Sequence, residues 1–493
     1  RLRCVLMIPV LIPEGESKML TVYPTLQRLD RYKRFGVCAA LFLCASFPAL
    51  AEEAETPNTP PPGLWDQDTL TGDWGGLRTR LADSGLSIGL IETSELLGNV
   101  SGGQRQGFDY MGRTELAIDL DLDKLAGWQG GLIHVNGYQI HGRGLTANNL
   151  GGNILDPSNI EATRTTRLFD AYFQQSLFDD KLSIRAGQIA ADDEFLTSQY
   201  SANFINGTFG WAGIMASDLP SGGPAYPLAT PGVRVKYAPS GNLSWQTAVF
   251  NGDPAGSTAG SSNPQIRDRA GTTFSTNRDL FAITEAAYAL PADKDAGELP
   301  TTIKLGGWYH SGKFNDYRYD TNGGLIGATS GTARKDVNNY GLYSVLDKML
   351  WAKPGTDDQG LSGFLRLAGA PDDRNLVSLY ADTGLNYKGL FEGRDQDIAG
   401  IAIAFAKVGG SAIHQDKDYN LANPGATRPV RDYEAVIELT YQYVVAPWWT
   451  IQPDAQYIIH PAGYSASPTA DTSAPTSAMK DAVVLGARTT IKF

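Results

Sequence analysis

From Thr165 to Gly187 the chain reads TTRLFDAYFQQSLFDDKLSIRAG. Phe169, Ala171 and Phe173 alternate with Asp170, Tyr172 and Gln174. Beyond a polar turn at Asp179 and Asp180, Leu182, Ile184 and Ala186 alternate with Ser183, Arg185 and Gly187. Two strictly alternating runs around such a turn predict an antiparallel hairpin with one apolar and one polar face. The pattern recurs. Sixteen alternating segments begin near Leu86, Phe108, Gln129, Thr165, Lys181, Pro231, Asn242, Asp279, Thr301, Asn338, Asp358, Leu376, Gln396, Arg431, Trp448 and Met479. In RTELAIDLDLD, Thr114, Leu116, Ile118, Leu120 and Leu122 oppose Arg113, Glu115, Asp119 and Asp121. In DYEAVIELTYQY, Tyr433, Ala435, Ile437, Leu439, Tyr441 and Tyr443 oppose Glu434, Glu438 and Gln442. One apolar face per strand suits the second sheet of a soluble sandwich, or the lipid around a barrel.

Connection lengths separate the two. Shorter connections fall at Leu125–Trp128, Phe178–Lys181, Ala238–Asn242, Pro291–Pro300, Ala352–Asp358, Gly389–Arg394 and Ala446–Pro447. The others are mostly long, the longest running from about Ala190 to Ala229. Outer-membrane barrels have short periplasmic turns and longer external loops, whereas a sandwich has no reason to sort its connections by side. The expected fold is all-β: a transmembrane antiparallel β-barrel of about sixteen strands over residues 86–493, both ends periplasmic. Trp128, Trp351, Trp448 and Trp449 lie at the shorter turns, as a band of rings at a membrane interface would. No stretch after the leader is long and apolar enough for a spanning helix. Ile398 to Phe405 comes nearest, but it alternates large with small side chains before Lys407.

The N-terminus reads as a targeting segment. Arg28, Arg31, Lys33 and Arg34 precede an apolar run, Phe35 to Phe47, and a small-residue cleavage site, Ala49-Leu50-Ala51. Residues 1–51 are the expected leader, with Met19 a better start than what precedes it. Residues 52–63 read as a Pro-rich tether. Residues 64–85 read as a short periplasmic segment, with one or two helical turns at Leu77 to Ala82 stopped by Gly85. All three cysteines (Cys4, Cys38, Cys44) fall in the leader, so the mature chain would have no disulfide, thiolate metal site or cysteine nucleophile. The leader holds seven Lys/Arg and three Asp/Glu. Without it 34 basic and 50 acidic side chains remain, a net charge of −16, which argues against a nucleic-acid partner.

No HExxH or GxxxxGK[ST] occurs, and His134 and His141, seven apart, make a poor metal pair. No metal or cofactor is expected. The useful chemistry is distributed over the polar faces: Arg113, Glu115, Asp170, Arg185, Arg234, Lys236, Glu438 and Arg488. An inward fold of the longest loop would bring Asp192, Asp193 and Glu194 to them, and Tyr172, Trp308 and Trp211 would offer rings for stacking. A lumen with fixed charges of both signs orders water and offers hydrogen bonds to hydroxyl groups.

Four stretches carry a resemblance. GDWGGLRTRL (Gly72 to Leu81) resembles the opening motif of the carbohydrate-selective outer-membrane porins, the OprB family. RLFDAYFQQSLFDDKLSIRAGQ, FNGDP (Phe250 to Pro254) and PWWTIQPDAQYIIHPAG (Pro447 to Gly463) fit the same family. The likeness runs from Leu64 to Phe493, with PAG at Pro461 to Gly463 where the family more often has PGG. It implies passive diffusion of carbohydrates, monosaccharides or related polyols, across the bacterial outer membrane. The terminal Phe493 resembles the sorting signal read by the barrel-insertion machinery. That machinery, outer-membrane lipid and small sugars are the implied partners. The residues themselves specify only a polar, mixed-charge lumen. They leave open a non-specific or organic-anion porin and an outer-membrane barrel enzyme, for which no nucleophile or acid–base set is recognisable.

Overall fold

Sixteen strands close into one antiparallel barrel in this computed structural model, each paired with its chain neighbours and β1 with β16 at the seam. The structure describes residues 63–256, 261–276, 279–292, 298–329, 331–356 and 358–493. The leader and nearly all of the tether lie outside these. The strands are β1 (Leu86–Gly103), β2 (Gly107–Asp121), β3 (Gly131–Gly142), β4 (Thr165–Leu177), β5 (Leu182–Ile189), β6 (Thr230–Tyr237), β7 (Leu243–Asn251) and β8 (Leu280–Leu290). There follow β9 (Thr301–Asp320), β10 (Ala333–Ala352), β11 (Gly360–Gly369), β12 (Val377–Lys388), β13 (Ile398–Val408), β14 (Tyr433–Ala446), β15 (Trp449–Ile459) and β16 (Lys480–Lys492). A closed ladder leaves no strand edge unpaired, which is what lets a sheet stand in hydrocarbon.

All seven expected turns sit at one end of the barrel, which also receives both ends of the described chain. The opposite, loop end is less uniform than expected. The connection from β1 to β2 is only residues 104–106, and that from β11 to β12 only 370–376. β10 begins at Ala333 rather than near Asn338, because β9 and β10 run on as a hairpin of 20 residues each. A register shift beside Asn338, whose φ is 70°, interrupts the alternation there.

Residues opposed across a ladder share a face, so register fixes what points in. In β2, Arg113, Glu115 and Asp119 face the lumen, while Leu116, Phe108 and Tyr110 stand exposed on the outer wall. Leu122 does not continue that outer row; it opens a helical turn, Leu122–Ala126, capped by the Asp121 carboxylate. In β4 the expectation for Phe169 fails. Val135 pairs with Ala171 but Gly137 with Leu168, so β4 carries one extra residue. Such a bulge reverses parity along the strand. Arg167 and Phe169 therefore turn inward with Asp170, and Phe169 is buried against Tyr138 and Tyr226.

The lumen is partly filled. The loop 190–229 folds inside the barrel, where Phe204 and Phe209 pack on Phe364 of β11. Ile205, Ile214 and Met215 join the same buried cluster with Tyr380, Val436 and Ile458. β13 makes room for it. Its large residues, Ile401 and Ile403, point out, while Ala402, Ala404 and Ala406 are fully covered inside.

At the turn end, a segment from Leu64 crosses beneath the seam. Trp448 is 6% exposed, not part of an open band: Trp65 stacks on one side and Trp449 on the other, and its indole N–H donates to Leu64 O at 2.7 Å. The Leu70 N–H donates to Lys492 O at 2.7 Å, and the helix Leu77–Asp83 places Arg78 Nη2 2.7 Å from Phe493 O. Trp128 and Trp351 stand exposed at their turns.

Candidate functional site

A group of charged lumen side chains gathers on β2 to β6. Arg185 of β5 and Arg234 of β6 are directly opposed on the inner face. Two guanidinium groups can face each other there because Glu194, from the inward loop, lies between them. Arg234 donates to both Glu194 oxygens, Nε–Oε2 2.6 Å and Nη2–Oε1 2.8 Å, and Arg185 Nη2 stands 3.4 Å from Oε1. Planar forks of this kind hold a carboxylate by direction as well as by charge. Gln174 accepts from both arginines, at 3.1–3.2 Å from Arg185 and 3.1 Å from Arg234. The Glu194 carbonyl is fixed by Gln246 Nε2 at 2.7 Å.

Next to this pair, the Tyr172 ring lies between Arg185, 4.1 Å from its centroid, and His134, stacked at 4.9 Å. His134 Nδ1 in turn lies 2.6 Å from Asp119 Oδ1. A ring so flanked offers its hydroxyl and edge, not a free face. Higher on the wall, Arg113 lies over Tyr138 and Tyr226 and 3.6 Å from Glu115, which accepts from Asn136. The Asp170 N–H donates to Asn136 Oδ1 at 2.9 Å, and its buried Oδ1 has no partner. Asp192 accepts the Tyr226 N–H at 2.9 Å. Burial pushes the Asp192 carboxyl up to about 8, with Asp193 beside it acting in the same sense. The sequence candidates Arg113, Glu115, Asp170, Tyr172, Arg185, Asp192, Asp193, Glu194 and Arg234 thus come together on one side of the lumen. Lys236 shares the inner face but stands exposed toward the turn end.

Two candidates lie elsewhere. Glu438 is fully buried under the inward loop, accepting the N–H groups of Ile205 at 2.6 Å and Asn206 at 2.9 Å. Arg488 of β16 binds Glu95 across the seam and Asn159 of the loop 143–164. The rings of Trp308 and Trp211 are packed away, Trp308 against Phe281 and Trp211 with its N–H on Gly222 O, so neither offers a face to a solute.

Glu438 belongs to a set the sequence does not announce. Glu434 accepts from the N–H groups of Ile154 and Leu155, Glu285 from that of Leu196, and Asp347 from that of Gln199. Arg366 donates to the carbonyls of Leu196, Thr208 and Gly210 at 2.8–3.0 Å while paired with Asp382. These inward wall residues bind loop backbone. Their parity was readable; which backbone they meet was not, because that depends on contacts 89 to 280 residues apart in sequence.

A closed sixteen-strand wall, apolar outside and charged inside, narrowed by a loop carried in its own lumen, defines an outer-membrane porin. The comparisons narrow the class. Residues 105–493 match the family described as carbohydrate-selective porin, OprB family, and the chain belongs to it. It is 25% identical over 434 residues to Porin B of Pseudomonas aeruginosa, covering 84% of this chain and 90% of that one. It is 24% identical over 427 residues to the putative porin QuiX of Acinetobacter baylyi, covering 81% and 90%. The solved high-pH structure of Pseudomonas putida OprB superposes with a TM-score of 0.76 at 25% identity, covering 88% of this chain and all of that one.

Proposed function

We propose that this carbohydrate porin is a passive diffusion channel for small uncharged sugars, monosaccharides or related polyols, with its turn end and Lys236 facing the periplasm. The observation that supports this most is Glu194, held between Arg185 and Arg234 beside Tyr172. Guanidinium forks donate to vicinal hydroxyls and a carboxylate accepts from them, so a polyol finds partners of both kinds along one wall. Glu194 offsets one of the two arginine charges and Glu115 stands beside Arg113, which weakens the pull on anions and favours sugars over the organic-anion reading. Arg113, Glu115, Asp170, Asp192 and Asp193 extend the same wall as the constriction, while Glu438 and Arg488 act from beneath the loops as positioning residues. The relatives being porins supports a channel and no catalytic role. Phe493, at the end of β16, is the residue we assign to recognition by the insertion machinery, and the outer aliphatic wall is assigned to lipid.

Planar-bilayer conductance of wild type, Arg185→Ala and Arg185→Lys, with sugar titrated against ion current, tests the reading. Arg185→Ala is expected to weaken sugar block and move ion preference toward cations. Arg185→Lys keeps the charge, so it should hold the ion preference and lose part of the block. Identical block and reversal potential in all three channels would place the constriction elsewhere. Block by organic anions but not by sugars would establish the anion channel instead.

A further inference from the structure

A cavity of about 330 Å³ lies at the loop end, and none of the constriction candidates lines it. β9 pairs with β8 only as far as His310, and β10 pairs with β11 only from Leu342. The β9–β10 hairpin therefore runs on past both neighbouring strands. It is tied down over the lumen: the Tyr317 N–H donates to Asp373 O at 2.8 Å, and Arg318 Nε to Asp418 Oδ2 at 3.0 Å. The cavity is the space left between this hairpin, the helical turn Gly213–Asp218 of the inward loop and the helix Gly410–Ala422. Its volume falls at the small end of the roughly 300–1,000 Å³ of ligand pockets, which suits one small molecule rather than a chain.

The polar groups of its lining divide into committed and free. Arg374 gives Nε and Nη2 to Asp373 and Nη1 to the carbonyls of Val337 and Asn338. Asp316 accepts from the N–H groups of Arg318 and Tyr319 and from Arg334. Both full charges are thus matched within the protein. Asp218 is different. It is only 7% exposed; its Oδ1 accepts the Val377 N–H at 3.1 Å, and its Oδ2 has no partner. Burial holds its carboxyl well above the usual range, so at neutral pH it is an O–H donor as well as an acceptor. The hydroxyls of Ser217 and Tyr317 and the amide nitrogen of Gln415 also have no partner among the described residues. Phe314, braced edge-on against His310, and Leu376 add apolar surface between these groups.

We propose that this cavity is an outer subsite for a monosaccharide or similar polyol, which holds the solute at the loop end before it meets the wall of Arg185, Glu194 and Arg234. The proposal rests on the reading of the channel as a path for uncharged sugars. A charged solute would find no free counter-charge here, and burying it unpaired is costly. A polyhydroxylic solute finds neutral donors and acceptors on three sides, with apolar contact for its C–H groups. A few convergent polar groups in an otherwise apolar lining are what fix the orientation of a small ligand. Because Asp218 and Glu194 lie on the same inward loop, one segment of chain serves both stations.

The test is photolabelling of the full barrel with a diazirine derivative of glucose, followed by peptide mass spectrometry. Two sets of adducts are expected, both displaced by free glucose: one on the segments 314–326, 374–376 or 410–422, the other on the wall around Arg185 and Glu194. Loss of one hydrogen bond changes occupancy by about two- to tenfold. Tyr317→Phe and, independently, Gln415→Met should lower the outer adducts by that factor relative to the wall adducts at sub-saturating probe. Arg185→Ala should move the ratio the other way. Wall adducts alone, or outer adducts that neither substitution reduces, would overturn the subsite and leave the sugar channel standing. Competition by gluconate as strong as by glucose would overturn the assignment to an uncharged ligand. Absence of glucose-displaceable adducts at both places would overturn the subsite together with the sugar reading beneath it.

Discussion

Asp192 stands where the inward loop leaves β5, and its carboxyl is held up to about 8 chiefly by burial and by Asp193, against the Tyr226 N–H and Arg113. Asp170, Glu194, Glu115, Asp119, Arg185, Arg234, His134, Tyr138, Tyr172 and Tyr226 are other charged or titratable groups of that wall. A raised carboxyl is protonated below its folded value, so the wall lacks one negative charge at neutral pH and gains it as pH rises through about 8. Cation preference should rise across that window, and Asp192→Asn should flatten the step in reversal potential. The sign for stability is the reverse: the contribution is complete below the ordinary carboxylate range and is lost as pH climbs through about 8. Glu438 makes a second prediction. Glu438→Ala leaves two loop N–H groups unpaired and should cost about 1.5–3 kcal/mol. Single-channel conductance should also rise as the loop loosens, whereas Glu438→Gln, which keeps a carbonyl acceptor, should lose less of both.

At the scale of the element, β2 offers a clean test of facing. Ile118→Arg on the outer wall should cost roughly 2–4 kcal/mol near the bilayer midplane. Asp119→Arg on the inner wall should be tolerated by the fold and change conductance; urea unfolding in bilayers checks the first and bilayer recording the second. That facing was legible in the sequence because alternation in β2 is uninterrupted. Most other strand starts were legible within two residues for the same reason. Where alternation breaks, so did the reading: the extra residue in β4 hid the inward turn of Phe169, and the left-handed Asn338 hid the first residues of β10. The candidate wall was legible as polar parity on β2, β4, β5 and β6. Its closure by the acidic run of the longest loop was an expectation from sequence as well, but that Glu194 in particular would lie between Arg185 and Arg234 was not legible, since a loop's path is set by remote contacts. A trace of that path lies in β13 all the same, whose alternation of large with small makes sense only if something apolar packs against the small side.

At the scale of the whole molecule, the two ends of the described chain secure the barrel seam together. Trp65 on Trp448, Leu70 on Lys492 and Arg78 on Phe493 add contacts beyond the β1–β16 ladder. Arg78→Ala combined with Trp65→Ala should speed loss of the folded barrel on heating, measured as the rate at which its compact gel form disappears, with little change in sugar block. The proposed leader yields a separate expectation: the outer-membrane form should begin at Glu52, and a mass retaining residues 19–51 would refute the cleavage site.

Glu434, Glu438, Glu285 and Asp347 grip the loops by main-chain N–H groups, which every residue but proline supplies. The grip is thus largely indifferent to which side chains the loops carry. Variation can accumulate in the segment that sets the bore while the wall, its register and its route into the membrane stay as they are. At loop positions outside the buried cluster of Phe204, Ile205, Phe209, Ile214 and Met215, such a lineage can change diet one substitution at a time on an unchanged barrel.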